Sequence, residues 1–261
     1  METAPAGSSG DTMLLSSKWD GLSPHLIASF YPVERKDSSR FWQKVPGSPV
    51  VRAPLTECTL DVSMLWQSPF ENAGQGTSPT MKAMLSSGAF KPWVGESGKE
   101  FLGSFEGRSG MTKLNSTQVF NGMPPIKFQV TALFRAWADP ESEVSAPVNQ
   151  LMQWALPRDL ADDGPLLEML EGIKEAAQGK PLDSALSRSM LPSIAPTKIA
   201  MKYKDSVYMP LVIESMSLPL GSPVDASGRH VHMQVTMTIC SLAAIDRNDW
   251  DRAKWGKGFS A

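Results

Sequence analysis

The sequence predicts a mainly β protein with some α-helix: an antiparallel β-sandwich or β-barrel with one docked helix, a helical insert and long loops. Several segments alternate apolar and polar residues, which is the period of a half-buried strand. Segments with helical spacing are grouped between runs of strands, without the strand–helix alternation of a parallel sheet. The 21 prolines fit many short strands and connections, because proline interrupts elements rather than filling them.

The clearest strand lies between Ile126 and Arg135. Its apolar side chains recur at every second position, with polar side chains between them. We expect five side chains to face the core: Ile126, Phe128, Val130, Ala132 and Phe134. Asp139-Pro140 ends the strand, because proline has no N–H for the ladder and restricts the residue before it.

A short amphipathic helix is predicted directly after the acidic turn ADPESEV. Ser145 is the predicted N-cap, Pro147 suits the first turn, and Pro157 ends the helix. Four apolar residues have the spacing of one helical stripe: Val148, Leu151, Met152 and Ala155. The sequence therefore predicts a strand, an acidic turn and a docked helix in this order. This local structure does not indicate a chemical activity.

Strand-like patterns also occur on both sides of this unit. Before it, we expect an edge strand within 41–51 and a full strand over 58–66. After it, we expect strands at 197–203, 208–218 and 231–239, with turn chemistry before the last of them. In the strand over 58–66, one face would carry Cys58, Leu60, Val62, Met64 and Trp66.

These elements predict one large domain with an attachment at each end. Residues 1–38 are assigned to an N-terminal arm that is partly disordered, because its first part is small and polar. Residues 39–248 form the β-barrel domain, which includes a long Gly-, Ser- and Pro-rich loop at 67–114 and a helical insert at 161–191. Residues 249–261 are assigned to a C-terminal tail of mixed charge, either solvated or docked on a partner.

Bulk composition excludes several classes of protein. The 261 residues carry a net charge of −2, with 41% hydrophobic and 20% charged residues, which is ordinary for a globular protein with a real core. Neither a nucleic-acid nor a membrane partner is indicated by net charge, and we expect a soluble protein of intracellular origin. Cys58 and Cys240 lie in strand-like patterns, which favours two buried thiols over a disulfide between them.

Histidine and cysteine, which many catalytic and metal sites require, are rare in this sequence. His230 and His232 share one face of a strand, but the only other histidine, His25, is remote in sequence, and no glutamate follows to complete a metal site. Neither Cys58 nor Cys240 has a neighbouring base in sequence. No nucleophile-elbow, phosphate-loop or CxxC motif occurs. We therefore predict no enzymatic activity, no catalytic residues, no cofactor and no metal.

Exposed aromatic side chains are the candidate binding residues. The 15 methionines fit either a surface that adapts to a partner or a core with irregular gaps. Aromatic residues in the long loop suggest anchors that settle on a neighbouring molecule, although a loop folded on its own domain explains them equally well. The interface candidates are Phe90, Trp93, Phe101, Phe105, Trp137, Trp154, Trp250 and Trp255.

The order of elements resembles the tail-tube fold of contractile-tailed bacteriophages and related injection machines. Within that family, it looks like the baseplate proteins that initiate the tube. The resemblance covers about half of the chain, from Phe120 to Asn248, and it departs from the pattern in the helical insert and the long loop. Its carrying segments are the strand Ile126–Ala136, the turn ADPESEVSAPV, the helix ending at Leu156-Pro157, Pro196–Ile199, VIESMS at 212–217, and Asp225–Leu242.

The resemblance implies a β-barrel of tail-tube type that assembles as a homohexameric ring. The barrels would join around a pore that passes DNA without reading its sequence, and the docked helix would pack outside. The chain would be a structural virion protein of the tail baseplate, made in the host cytoplasm, that initiates the tube or adapts it to the central hub. Its partners would be itself and the neighbouring tube and hub proteins, with no membrane. Two alternatives remain open: a β-barrel small-molecule binding module or enzyme, and a baseplate wedge or sheath-contact protein.

Overall fold

The computed structural model describes residues 12–35, 39, 41–67, 117–160 and 193–260. The chain divides into two compact units. One comprises Met1–Val62 and Pro125–Ala261, and the other is Ser63–Pro124. The helical insert predicted at 161–191 and the long loop beyond Gln67 lie outside the described residues.

Ten strands and two α-helices make up the described elements. The strands are β1 (Leu14–Ser16), β2 (Ile27–Arg35), β3 (Trp42–Lys44), β4 (Val50–Asp61), β5 (Leu65–Gln67), β6 (Val119–Gly122), β7 (Lys127–Arg135), β8 (Ile199–Tyr203), β9 (Ser206–Ser217) and β10 (His232–Ser241). The helices are α1 (Ala146–Ala155) and α2 (Arg247–Lys254), with a 3₁₀ turn at Pro24–Leu26 and a π-helical turn at Glu141–Ser145. None of the described helices is long and apolar enough to cross a membrane.

The larger unit is built on one eight-stranded sheet with the order β1-β4-β7-β10-β9-β8-β2-β3. β4 also pairs with β2, so β2, β4, β7, β10, β9 and β8 form a nearly closed antiparallel ring. β1 pairs in parallel with β4. The prediction of a mainly β protein is confirmed, and the sheet is mixed rather than wholly antiparallel.

The core lies inside this ring. Because directly paired residues point to the same face of a sheet, Phe128 opposite Ile239 and Val130 opposite Met237 place four buried side chains together. The predicted inward face of β7 is confirmed, since its alternate apolar residues are all buried. The largest fully buried side chains of the ring strands are Phe30, Val51, Phe128, Val130, Phe134, Ile199, Met201, Leu211, Met237 and Ile239.

β4 differs from the strand predicted over 58–66. It runs from Val50 to Asp61, and Leu65–Gln67 is a separate strand. A register shift between Leu55 and Glu57 marks a bulge, which lets the first half of β4 pair with β2 and the second half with β7. Beyond this bulge the strand is largely exposed. The expectation of a buried Cys58 is therefore wrong.

β2 lies inside the segment that the sequence assigned to an N-terminal arm. Pro32 obscured it, because proline within a run argues against a central strand. In the structure Pro32 is opposite Ile199 of β8, and the neighbouring Phe30 is fully buried. The described part of the predicted arm thus contributes β1 and β2 to the sheet. The predicted edge strand is β3, which lies at the end of the strand order.

The strand–turn–helix unit is present, but its cap differs from the expected one. Ser145 has helical dihedral angles and makes no capping hydrogen bond, because the π-helical turn runs directly into α1. Asp139 begins this turn instead, accepting hydrogen bonds from the N–H groups of Glu141 and Ser142 at 3.3 and 3.1 Å. The buried residues of α1 are Pro147, Val148, Leu151 and Trp154. The predicted burial of Val148 and Leu151 is therefore confirmed. The buried stripe of the helix continues to Trp154 instead of Met152 and Ala155.

The segment predicted to be a C-terminal tail contains α2, which starts with a capping box between Asp246 and Asp249. After the helix the chain folds back onto the barrel. The Phe259 side chain is buried, and its N–H donates to the carbonyl of Met209 at 2.8 Å. Gly258 has φ +66°, and a Cβ there would lie 2.3 Å from Met209 Cγ, so only glycine fits this approach.

Candidate assembly surfaces

The outer side of β4, β7, β10 and β9 forms a continuous polar surface, which we call the polar face. The ladder registers align its side chains in rows across the four strands. Its first row is Glu57, Thr131, Thr236 and Ser217. Its second row is Thr59, Gln129, Thr238 and Ser215, and its third row is Asp61, Lys127, Cys240 and Val212.

Side-chain contacts connect the strands of the polar face, between neighbours and across β10. Gln129 donates to Asp61 at 2.8 Å, and Lys127 Nζ lies 2.7 Å from Glu214 Oε1. The hydrogen bond to Glu214 raises the pKa of Lys127. Thr131 donates to Glu57 at 3.3 Å. These contacts fix the side chains in place and leave the polar face with more carboxylates than cations.

β5 and β6 form a separate two-stranded ribbon in the smaller unit. Trp66 and Phe120 meet edge to face with their ring centroids 5.5 Å apart, yet they are 52% and 49% exposed. Leu65 and Val119 are exposed as well. A two-stranded hairpin is marginally stable alone, and large apolar side chains on it mark a surface that gains by being covered.

Two turns that carried the family resemblance are joined through Arg229. Its guanidinium lies 3.3 Å from Asp225 and 3.7 Å from Asp139. Hydrogen bonds from Ser142 and Glu141 lower the pKa of Asp139, and Arg229 adds to this effect. The buried Glu143 accepts hydrogen bonds from the N–H groups of Trp137 and Ala138. These carboxylates therefore have structural partners within the fold.

The predicted interface residues divide into four groups. Trp137 and Trp255 are 57% and 79% exposed, and the Arg135 guanidinium lies 4.5 Å from the Trp137 ring centroid. Trp154 is 4% exposed and belongs to the core of this chain. Trp250 is half-buried beside Tyr208, with ring centroids 6.4 Å apart. Phe90, Trp93, Phe101 and Phe105 lie outside the described residues.

The histidines and cysteines are scattered. His25 lies 3.5 Å from the exposed Asp205, far from the strand that contains His232. Cys58 and Cys240 are free thiols, and partial desolvation by neighbouring atoms raises the pKa of both. Among the described residues, no three His, Cys, Asp or Glu side chains are grouped as a metal site would require.

The sequence did not predict that the polar residues of different strands form one continuous face. Thr236 and Thr238 on β10, and Gln129 and Thr131 on β7, were predicted to point away from the core, but their alignment depends on the pairing register. The ribbon was missed because Trp66 continued the alternation of β4.

Comparisons with known proteins add no relative. No protein-family model matches the chain. A search of curated proteins finds no significant match either.

Proposed function

We propose that this chain is a structural virion protein of a contractile-tail baseplate. It assembles as a homohexameric ring of tail-tube type that initiates the tail tube or adapts it to the central hub. It performs this role without turnover, cofactor or metal. Its partners are copies of itself and the adjoining tube and hub proteins.

The polar face is the observation that carries this proposal. β4, β7, β10 and β9 are four adjacent strands of the ring, and their outer side has hydrophilic rows in place of an apolar surface that another layer would cover. Copies placed side by side around an axis would line a channel with these rows. Because Glu57, Asp61 and Glu214 outnumber Lys127, such a wall would not retain DNA phosphates.

The ribbon and the sheet edges support assembly. The ribbon presents Trp66 and Phe120 at its surface, as a segment that packs on a neighbouring subunit would. β1 and β3 lie at the two ends of the strand order and offer edges for contacts between copies. A closed ring would protect both features from uncontrolled association.

The filled interior weighs against the small-molecule alternative. A barrel that binds a ligand keeps an internal cavity with a few convergent polar groups. Here, large apolar side chains such as Phe30, Phe128 and Phe134 occupy the space inside the ring. The proposal therefore concerns surfaces rather than a pocket.

Electron microscopy with a mass measurement tests the proposal. We expect six-fold rings, formed by the protein alone or after addition of the tube and hub proteins encoded beside it. A reconstruction should place β7 and β10 at the central channel. A protein that stays monomeric with those partners, or a ring with the polar face on its outside, overturns the proposal.

A further inference from the structure

A groove lies on the outside of the larger unit, away from the polar face. Its volume is about 1340 Å³. One wall is the end of β2 with Trp42, and the other is the C-terminal part of α1 with the segment Ile194–Lys198. Ligand pockets for small molecules occupy roughly 300–1,000 Å³, so this groove has the size for a segment of polypeptide.

Main-chain hydrogen bonds order the groove, two of them within the α1 wall and one between the two walls. Arg158 N–H donates to Ile194 O at 3.0 Å, and Thr197 N–H donates to Trp154 O at 3.2 Å. Val33 N–H donates to Lys198 O at 2.9 Å, which ties β2 to the opposite segment. Because these bonds fix the backbone, a partner would meet a surface that is already ordered.

The charge of the groove is positive although the chain as a whole is negative. Three cations and one anion line it: Arg35, Arg158, Lys198 and Glu34. Arg35 and Lys198 both lie over the Trp42 ring, 5.7 and 5.0 Å from its centroid. The negative C-terminal end of α1 would oppose an anion here, but the carbonyl of Trp154 in its last turn already accepts a hydrogen bond from Thr197.

Aliphatic side chains are exposed beside these cations. Leu156, Ile194 and Leu242 line the groove and remain accessible to solvent. Nucleic acids are held by phosphate contacts with aromatic stacking, whereas the accessible apolar groups here are aliphatic. Aliphatic anchors next to cations match a peptide that carries both carboxylates and aliphatic side chains.

We propose that this groove is a docking site for an acidic, aliphatic segment of a partner protein. The carboxylates of the segment pair with Arg158 and Lys198, and its apolar side chains cover Leu156 and Ile194. Every residue that lines the site belongs to one unit of one chain, so no second copy is needed to build it.

Fluorescence anisotropy with synthetic peptides tests this docking site on the full chain. The probe is a short labelled peptide of alternating glutamate and leucine, compared with lysine–leucine and glutamate–serine peptides of equal length. We expect saturable binding of the glutamate–leucine peptide alone, weakening as sodium chloride is raised. The double variant Arg158→Glu/Lys198→Glu should weaken binding about ten-fold, since two ion pairs become repulsive.

The matched control is Lys202→Glu/Lys257→Glu, which makes the same change in net charge at exposed positions outside the groove. It should leave the affinity within about two-fold of wild type. Leu156→Ser tests the aliphatic contact separately and should also weaken binding. Absence of binding, equal binding of the lysine–leucine peptide, or stronger binding of a single-stranded oligonucleotide overturns the proposal. None of these results depends on whether rings form.

Discussion

The C-terminal segment and the β5–β6 ribbon contrast in how they accommodate aromatic side chains. In the C-terminal segment, Phe259 is buried, and the backbone and hydroxyl of Ser260 donate to the buried Asp249, both at 2.6 Å. In the ribbon, Trp66 and Phe120 contact each other but remain half exposed. The C-terminal segment is therefore fastened to its own chain, whereas the described strands of the ribbon keep large apolar side chains exposed.

The comparison of these two segments indicates that hydrogen bonds to the rest of the chain determine where an aromatic segment packs. Asp249 accepts hydrogen bonds that hold the returning chain, and Phe259 donates its N–H to β9. The ribbon has a side-chain hydrogen bond between Asn121 and Gln67, at 2.9 Å, that joins its own two strands. Among the residues that the structure describes, the ribbon's large apolar side chains remain exposed.

Removal of Phe259 is expected to have the largest effect on stability. Phe259→Ala deletes a buried ring and leaves a cavity, so the free energy of unfolding should fall by about 3 kcal/mol. Trp255→Ala is the matched control, because Trp255 is exposed, and it should change stability by less than about 0.5 kcal/mol. Urea unfolding measures both. Equal effects of the two variants would show that the C-terminal segment is not packed as described.

Asp249→Asn should lower the free energy of unfolding by about 2 kcal/mol at neutral pH, which is less than the effect of Phe259→Ala. The reason is that hydrogen bonds to a buried carboxylate are weakened. Burial alone would raise the pKa of Asp249, but the hydrogen bonds from Ser260 and Asp246 outweigh it and lower that pKa. The ionised group stabilises the folded state above the unfolded-state pKa of about 3.9, and this contribution is lost as pH falls through the lower folded-state pKa.

Urea unfolding of wild type and Asp249→Asn between neutral and acidic pH tests this sign. The difference in unfolding free energy should be constant near neutrality and shrink as the pH falls below about 4. Asp251→Asn, at an exposed position of the same helix, serves as the control and should remain close to wild type. A difference that grows on acidification contradicts the assignment.

The double variant Trp66→Ser/Phe120→Ser should have the smallest effect on the stability of the isolated protein, less than about 0.5 kcal/mol, because both rings are half exposed. Its effect should be on assembly, measured as the yield of rings in electron micrographs. Leu220→Ser, at another exposed apolar residue outside the ribbon, is the control. A normal yield of rings from the double variant would exclude the ribbon as an assembly contact.

The most regular strands could be predicted from the sequence. β7 and β10 have an apolar residue at every second position, so their buried faces follow directly from the pleat. β8 and β9 also lie where strands were expected. Alternation sufficed here because these strands are buried on one side and polar on the other.

Features set by distant contacts could not be predicted. Pro32 obscured β2, which is identified as a strand by its pairing with β8. The bulge after Leu55 ended the regular alternation of β4 without a turn residue. In the sequence, Asp249 is one charge in a tail of mixed charge, and nothing there indicates its hydrogen bond with Ser260. The polar face likewise depends on register, which no single strand specifies.

The closure of the ring has a consequence for synthesis on the ribosome. β2 pairs with β8 and β7 pairs with β10, so strands made early wait for partners encoded much later. Until β10 emerges, the nascent sheet has open edges, and such edges pair readily with other chains. Long-range pairing also slows folding. Translation that stalls before β10 would therefore yield fragments prone to aggregate, and the chain gains its protected barrel in one late step.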